Sequence, residues 1–192
     1  VNRARPRVWT AANILSLLRV VLVPVLVLAL AARRPGAALI IFAVAGSTDF
    51  LDGLAARALH QRTSLGVLLD PIGDKLLMTA AFITLSLPSL PGPNVIPLWL
   101  TIPVIGRDVA IVLGAFILFK TRGVRQFPPS LWGKVSTVGQ MACLGLVLLF
   151  NWIGTTPSAL TWVYVATLTA TLVSGGDYFR KGFLGGRVKA AG

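Results

Sequence analysis

The chain has 192 residues, room for about one domain, of which 55% are apolar and only 12% charged, with a mean hydropathy of +0.81. That charged share is about half the usual one for a soluble domain, which excludes a disordered tail and argues against a water-soluble globule. Eighteen Lys and Arg against six acidic residues leave a net charge of +12, and in so apolar a chain this excess points to anionic lipid before nucleic acid.

A bilayer-spanning helix needs roughly 20 mostly apolar residues. Taken in chain order, a basic segment over residues 1–10 leads into a first span at Ala12–Ala32, which holds Arg19. A second runs Ala37–Leu59 with Asp49 and Asp52, and a third Gly66–Leu87 with Asp70, Asp74 and Lys75. A fourth runs Ile96–Phe119 with Arg107 and Asp108, a fifth Leu131–Phe150 with Lys134, and a sixth Ala159–Tyr178 with Asp177. Breakers mark the links at Arg33-Arg34-Pro35-Gly36, Pro88–Pro93 and Asn151–Ser158. The expected fold is all-α, an integral membrane bundle of six transmembrane helices in one domain over 1–192, closed by a basic cytoplasmic tail at 179–192. A cleavable signal peptide is the other reading of the N-terminus. Against it, the apolar run continues to Ala32 with no convincing cleavage site.

The positive-inside rule orients this arrangement. With the N-terminus in the cytoplasm, the inner side holds Arg3, Arg5 and Arg7, then Arg57 and Arg62, then Lys120, Arg122 and Arg125, and finally Arg180, Lys181, Arg187 and Lys189. The outer side holds Arg33 and Arg34 alone. Both termini and the acid-bearing helix ends are therefore expected on the cytoplasmic side of an inner (plasma) membrane of bacterial type.

All six acidic residues are Asp, so the Glu–Lys pairs of a solvated helix surface are missing. Asp49, Asp52, Asp70 and Asp74 would fall in the inner half of the membrane, where a lone charge costs at least about 2.5–3.5 kcal/mol. They are either structural ion pairs or the lining of a shared, water-accessible cavity. Asp49 and Asp52 are spaced i,i+3 and Asp70 and Asp74 i,i+4, so each pair is expected on one helix face. Four carboxylates at one level must take protons or bind cations. Oxygen donors suit Mg²⁺, Mn²⁺ or Ca²⁺ rather than zinc, and two ions would suit phosphoryl chemistry. Gly53 and Gly66 imply a close approach by a helix or by a ligand. Arg57 is placed to snorkel to headgroups or to clamp a phosphate. His60 reads as a loop residue, and the single Cys143 excludes an intrachain disulfide. Adjacent residues on a helix face different ways, so Asp108 is a doubtful partner for Arg107.

From Asp49 to Asp74 the chain reads D-x2-D-G-x2-A-R-x8-G-x3-D-x3-D. This resembles the signature of the CDP-alcohol phosphatidyltransferases, with no position departing from it. Asn13–Arg19, Asp70-Pro71-Ile72-Gly73-Asp74-Lys75 and Gly133-Lys134-Val135-Ser136-Thr137 are similar to segments of the phosphatidylglycerophosphate synthase and cardiolipin synthase branches. Arg107-Asp108 resembles the Arg-Asp of mitochondrial-type cardiolipin synthases, where phosphatidylglycerophosphate synthases usually have Arg-Glu.

The resemblance implies an enzyme that moves a phosphatidyl group from CDP-diacylglycerol to an alcohol and releases CMP. It implies Mg²⁺ or Mn²⁺ held by Asp49, Asp52, Asp70 and Asp74, with Asp74 also the catalytic base. Asp49, Gly53, Ala56, Arg57 and Gly66 would meet the nucleotide. Arg107 and Lys134, with one of Lys75, Arg122 or Arg125, would bind an acceptor phosphate. The implied partners are CDP-diacylglycerol, a phosphate-bearing acceptor, membrane lipids and a second copy of the chain, with no nucleic acid. Glycerol 3-phosphate is the favoured acceptor, with phosphatidylglycerol (a cardiolipin synthase) the alternative. An inositol phosphate remains open. A cation-coupled transporter is the remote reading; the chain shows no internal repeat of the kind many transporters carry.

Overall fold

The computed structural model describes residues 11–59, 64–89, 92–122 and 130–181, and within them the side chains at 18, 20–47, 75–89, 92–114, 117, 120 and 130–181. Six helices follow one another: α1 (Ala11–Ala31), α2 (Pro35–Leu59), α3 (Ser64–Leu85), α4 (Leu98–Arg122), α5 (Leu131–Ile153) and α6 (Ala159–Phe179). The all-α expectation stands.

The expected bundle of six transmembrane helices does not. Among the described residues, two helices are long and apolar enough to cross a membrane, α5 and α6. All six helices have the length, 21 to 25 residues. Among the described residues, α1, α2 and α3 offer the shorter apolar stretches Val20–Ala31, Pro35–Ser47 and Lys75–Leu85, each short of the roughly 20 residues that a bilayer asks of a helix. α4 carries Arg107 and Asp108 near its middle.

Contacts group the chain into two compact units: Val1–Val95 with Val147–Thr155, and Ile96–Leu146 with Thr156–Gly192. In the first, α1 packs against both α2 and α3. Leu26, Leu30, Phe42, Leu77, Phe82 and Leu85 are buried there, with Val147 and Leu148 from the end of α5. The turn between α1 and α2 is set by backbone chemistry. Arg33 takes a left-handed φ of 54°. Its N–H reaches Leu30 O at 3.0 Å, while the Arg34 N–H reaches Ala29 O at 2.9 Å. That pair of bonds closes a helix C-terminus, and Pro35 then opens α2, where its missing N–H costs nothing. Gly36 gives this turn clearance: a Cβ there would lie 2.8 Å from the Trp152 indole.

α5 runs three residues past the expected Phe150, to Ile153. Two features account for this. Asn151, 4% exposed, is held by Asn94: its Oδ1 accepts from the Asn94 N–H (2.7 Å) and Nδ2 (3.0 Å), and its Nδ2 donates to Asn94 O (3.0 Å). Asn94 Nδ2 also donates to Thr155 O at 2.7 Å. Gly154, at φ 78°, then ends the helix, with the Thr155 N–H bonded back to Phe150 O at 3.1 Å.

In the second unit α4 packs on α6, and Leu100, Val104, Cys143, Leu144 and Leu160 are buried. Trp99 meets Tyr164 edge-on at 6.4 Å between ring centroids, a favourable aromatic arrangement. Ser130 caps α5, its Oγ accepting from the Gly133 N–H at 2.9 Å. Hydroxyls inside the helices bond back to their own turns, Thr167 to Val163 O at 2.8 Å and Thr171 to Thr167 O at 2.8 Å. Backbone carbonyls thus satisfy these buried hydroxyls.

Candidate functional site

The predicted carboxylates fall on two helices of the first unit: Asp49 and Asp52 with Gly53, Ala56 and Arg57 on α2, and Asp70 and Asp74 with Gly66 on α3. The three- and four-residue spacings therefore stand on continuous helices. The side chains of these residues lie outside the described ones. Among the described residues there is no group of three or more His, Cys, Asp or Glu that could hold a metal ion. His60, Arg125 and the side chain of Arg122 also lie outside them, while Lys75 is half-buried in α3.

The second unit carries a buried charged cluster. Arg107 of α4 has a side chain only 8% exposed, and Asp108 one of 13%. Contrary to the expectation from helix geometry, the two are paired: Arg107 Nη1 lies 2.7 Å from Asp108 Oδ1. Neighbouring Cα–Cβ bonds do diverge by about 100°, but an arginine is long enough to bend its guanidinium round to a neighbour's carboxylate. Nη2 donates to Ser174 Oγ of α6 at 2.5 Å. The guanidinium also lies over the Tyr178 ring, 5.5 Å from its centroid, within cation–π range. Nε is buried with no hydrogen-bond partner. Breaking one side of such a buried pair typically costs about 3–5 kcal/mol.

Gly133 of α5 makes room for this arrangement. A Cβ at that position would lie 3.1 Å from the Tyr178 hydroxyl, 3.2 Å from its ring and 3.4 Å from Arg107 Nη2. Lys134 is next along α5 and exposed. Thr137 closes the same segment by donating to Gly133 O at 3.1 Å. Asp177, at the end of α6, pairs with Lys181 at 2.7 Å, one helical turn on.

Sequence reasoning missed three features. Ser174 and Tyr178 as partners of Arg107 carry no sequence signal, since they lie some 70 residues further on. The Asn94–Asn151 clasp was hidden because both residues were placed outside the expected spans. The third is a buried polar seam in which Gln140 Nε2 donates to Ser136 Oγ at 3.2 Å and to Thr171 Oγ1 at 3.1 Å. Gln140 is fully buried, with its Oε1 unpartnered; a glutamine inside an apolar run was the available signal.

Comparison with known proteins bears on what this arrangement does. The CDP-alcohol phosphatidyltransferase family model matches residues 9–173. A probable phosphatidylglycerophosphate synthase of Mycobacterium tuberculosis is 37% identical over 182 residues, covering 91% of this chain and 82% of that protein. A putative cardiolipin synthase of the same species is 35% identical over 144 residues, covering 74% of this chain and 66% of that protein. A cardiolipin synthase (CMP-forming) of Streptomyces coelicolor is 32% identical over 170 residues, covering 82% of this chain and 75% of that protein.

Proposed function

Because the chain belongs to the CDP-alcohol phosphatidyltransferase family, we propose that it transfers the phosphatidyl group of CDP-diacylglycerol to glycerol 3-phosphate. The chain is a CDP-diacylglycerol-dependent phosphatidyltransferase of phospholipid biosynthesis. The acceptor is the open term, since relatives named for either acceptor are similar at 37% and 35% identity.

The observation that carries the choice is Arg107. Its guanidinium is bonded to Asp108 and Ser174, yet its Nε is buried and unpartnered. A terminal phosphate accepts charge-assisted hydrogen bonds from such an edge, and Lys134 adds an exposed cation in the same unit. Phosphatidylglycerol, whose phosphate is a diester, offers one negative charge where glycerol 3-phosphate offers nearly two. The Arg-Asp pair favours the alternative by resemblance.

Divalent metal fits the donor set. Asp49, Asp52, Asp70 and Asp74 present oxygen donors alone on α2 and α3, which suits Mg²⁺ or Mn²⁺ over softer ions. When bound, such ions supply charge stabilisation for the phosphoryl oxygens and for the departing CMP. Asp74 takes the proton from the acceptor hydroxyl as its oxygen bonds to the phosphatidyl phosphorus and the bond to CMP breaks. Gly53, Ala56, Arg57 and Gly66 bind the nucleotide. The basic residues before α5 and after α6, against an uncharged link between them, support an orientation with those two ends cytoplasmic, in a bacterial plasma membrane. A second copy of the chain completes the assembly.

The test is product analysis. The purified chain receives CDP-diacylglycerol and Mg²⁺ with glycerol 3-phosphate or phosphatidylglycerol. Formation of phosphatidylglycerophosphate with equimolar CMP supports the reading. Cardiolipin formed from phosphatidylglycerol, with glycerol 3-phosphate ignored, replaces it by the alternative.

A further inference from the structure

We propose that Tyr178 is a positioning residue for the acceptor: it holds the Arg107 guanidinium in the plane from which it meets the acceptor's anionic group. This rests on the reading of Arg107 as an acceptor ligand and adds to it the element that sets the ligand's direction.

A guanidinium has five N–H groups in one rigid plane. Two bonds within that plane, to Asp108 at 2.7 Å and Ser174 at 2.5 Å, fix the positions of its terminal nitrogens. In-plane bonds resist tilting only weakly, because hydrogen bonds tolerate a broad range of acceptor angles. The Tyr178 ring supplies what they do not: it presents its face to the cation at 5.5 Å, so a tilt loses the cation–π contact. Ser174 and Tyr178 are i,i+4 on α6, so one helix face carries both restraints. Gly175, between them, leaves space beside the arginine stem: a Cβ there would be 3.7 Å from Arg107 Cγ.

Gly133 completes the argument from the other side. A Cβ there would crowd Tyr178, at 3.1 Å from its hydroxyl and 3.2 Å from its ring, and would stand at contact distance, 3.4 Å, from Arg107 Nη2. The Gly-Lys pair of α5 then has a division of labour. Gly133 admits the stacked ring and guanidinium, and Lys134, next along α5, is an exposed cation.

The experiment measures steady-state kinetics of the full-length chain for CDP-diacylglycerol and for whichever acceptor the wild type uses. Tyr178→Leu is expected to raise the acceptor KM about tenfold, the order set by one desolvated cation–π contact, with the CDP-diacylglycerol KM unchanged. Tyr178→Phe keeps the ring face and should stay within about twofold of wild type. Gly133→Ala, which disturbs the stack without deleting it, should shift the same constant in the same direction and serves if Tyr178→Leu does not fold. In an Arg107→Ala background, Tyr178→Leu should add nothing, because both changes act through one group. If Arg107→Ala raises the acceptor KM but Tyr178→Leu and Gly133→Ala do not, the positioning role is overturned while the acceptor reading stands. If Arg107→Ala leaves the acceptor KM unchanged, the acceptor reading itself fails and the proposal with it. Equal losses for both substrates, or additivity with Arg107→Ala, would mark Tyr178 as a general packing residue and overturn the proposal.

Discussion

Replacing Asn151 by Ala tests whether the Asn94–Asn151 clasp holds the end of α5. The substitution deletes three hydrogen bonds at once: two accepted by Oδ1, at 2.7 and 3.0 Å, and one donated by Nδ2, at 3.0 Å. Asn94 Nδ2 keeps its bond to Thr155 O. The Asn94 N–H and C=O each lose the bond they made to Asn151, at a residue only 7% exposed. A buried polar group left unsatisfied costs about 1–3 kcal/mol, so two give about 2–6 kcal/mol. Water entering past the exposed Gly92 and Pro93 would favour the lower half, about 3 kcal/mol. At roughly 2–4 °C per kcal/mol for a chain of this size, Tm should fall by about 6–12 °C. The chain supplies its own reporter. Cys143 is the single cysteine and is fully buried in the same helix, so a thiol-reactive fluorophore reports unfolding of detergent-solubilised protein as temperature rises. An Asn151→Ala protein melting within about 1 °C of wild type would refute the claim that these bonds hold the helix end.

Two further outcomes concern the acidic helices. Activity should require Mg²⁺ or Mn²⁺ and vanish on chelation, and Asp49→Asn or Asp52→Asn should abolish turnover while the protein still inserts; CMP release with chelator present would refute the metal assignment. Asp74→Asn should lower kcat by about 10²-fold or more with CDP-diacylglycerol binding retained; loss of nucleotide binding, measured directly with the inactive protein, would instead make Asp74 a ligand and not the base.

The family was legible in the sequence because its chemistry depends on residue types at fixed short spacings. Asp49 to Asp74 lie on two helices joined by a short link, and helix periodicity alone relates their positions. Helix number and approximate ends were legible for a similar reason: breakers such as Pro35, and Gly154 within the Asn151–Ser158 link, punctuate the chain through local backbone chemistry. The number of spans was not: all six helices have the length, and among the described residues α5 and α6 carry an apolar run long enough to cross a membrane.

What only the tertiary structure decided is how the charged and polar groups far apart in sequence are satisfied. Arg107 finds Ser174 and Tyr178 across more than sixty residues, and Asn94 finds Asn151 across 57. Its bond to Asp108 spans one residue, yet it went unforeseen because side-chain reach, not the Cβ direction, determines where a guanidinium ends. Periodicity records which way a side chain leaves its own helix. The partner waiting there depends on which helices pack together and on where a glycine such as Gly133 lets them approach.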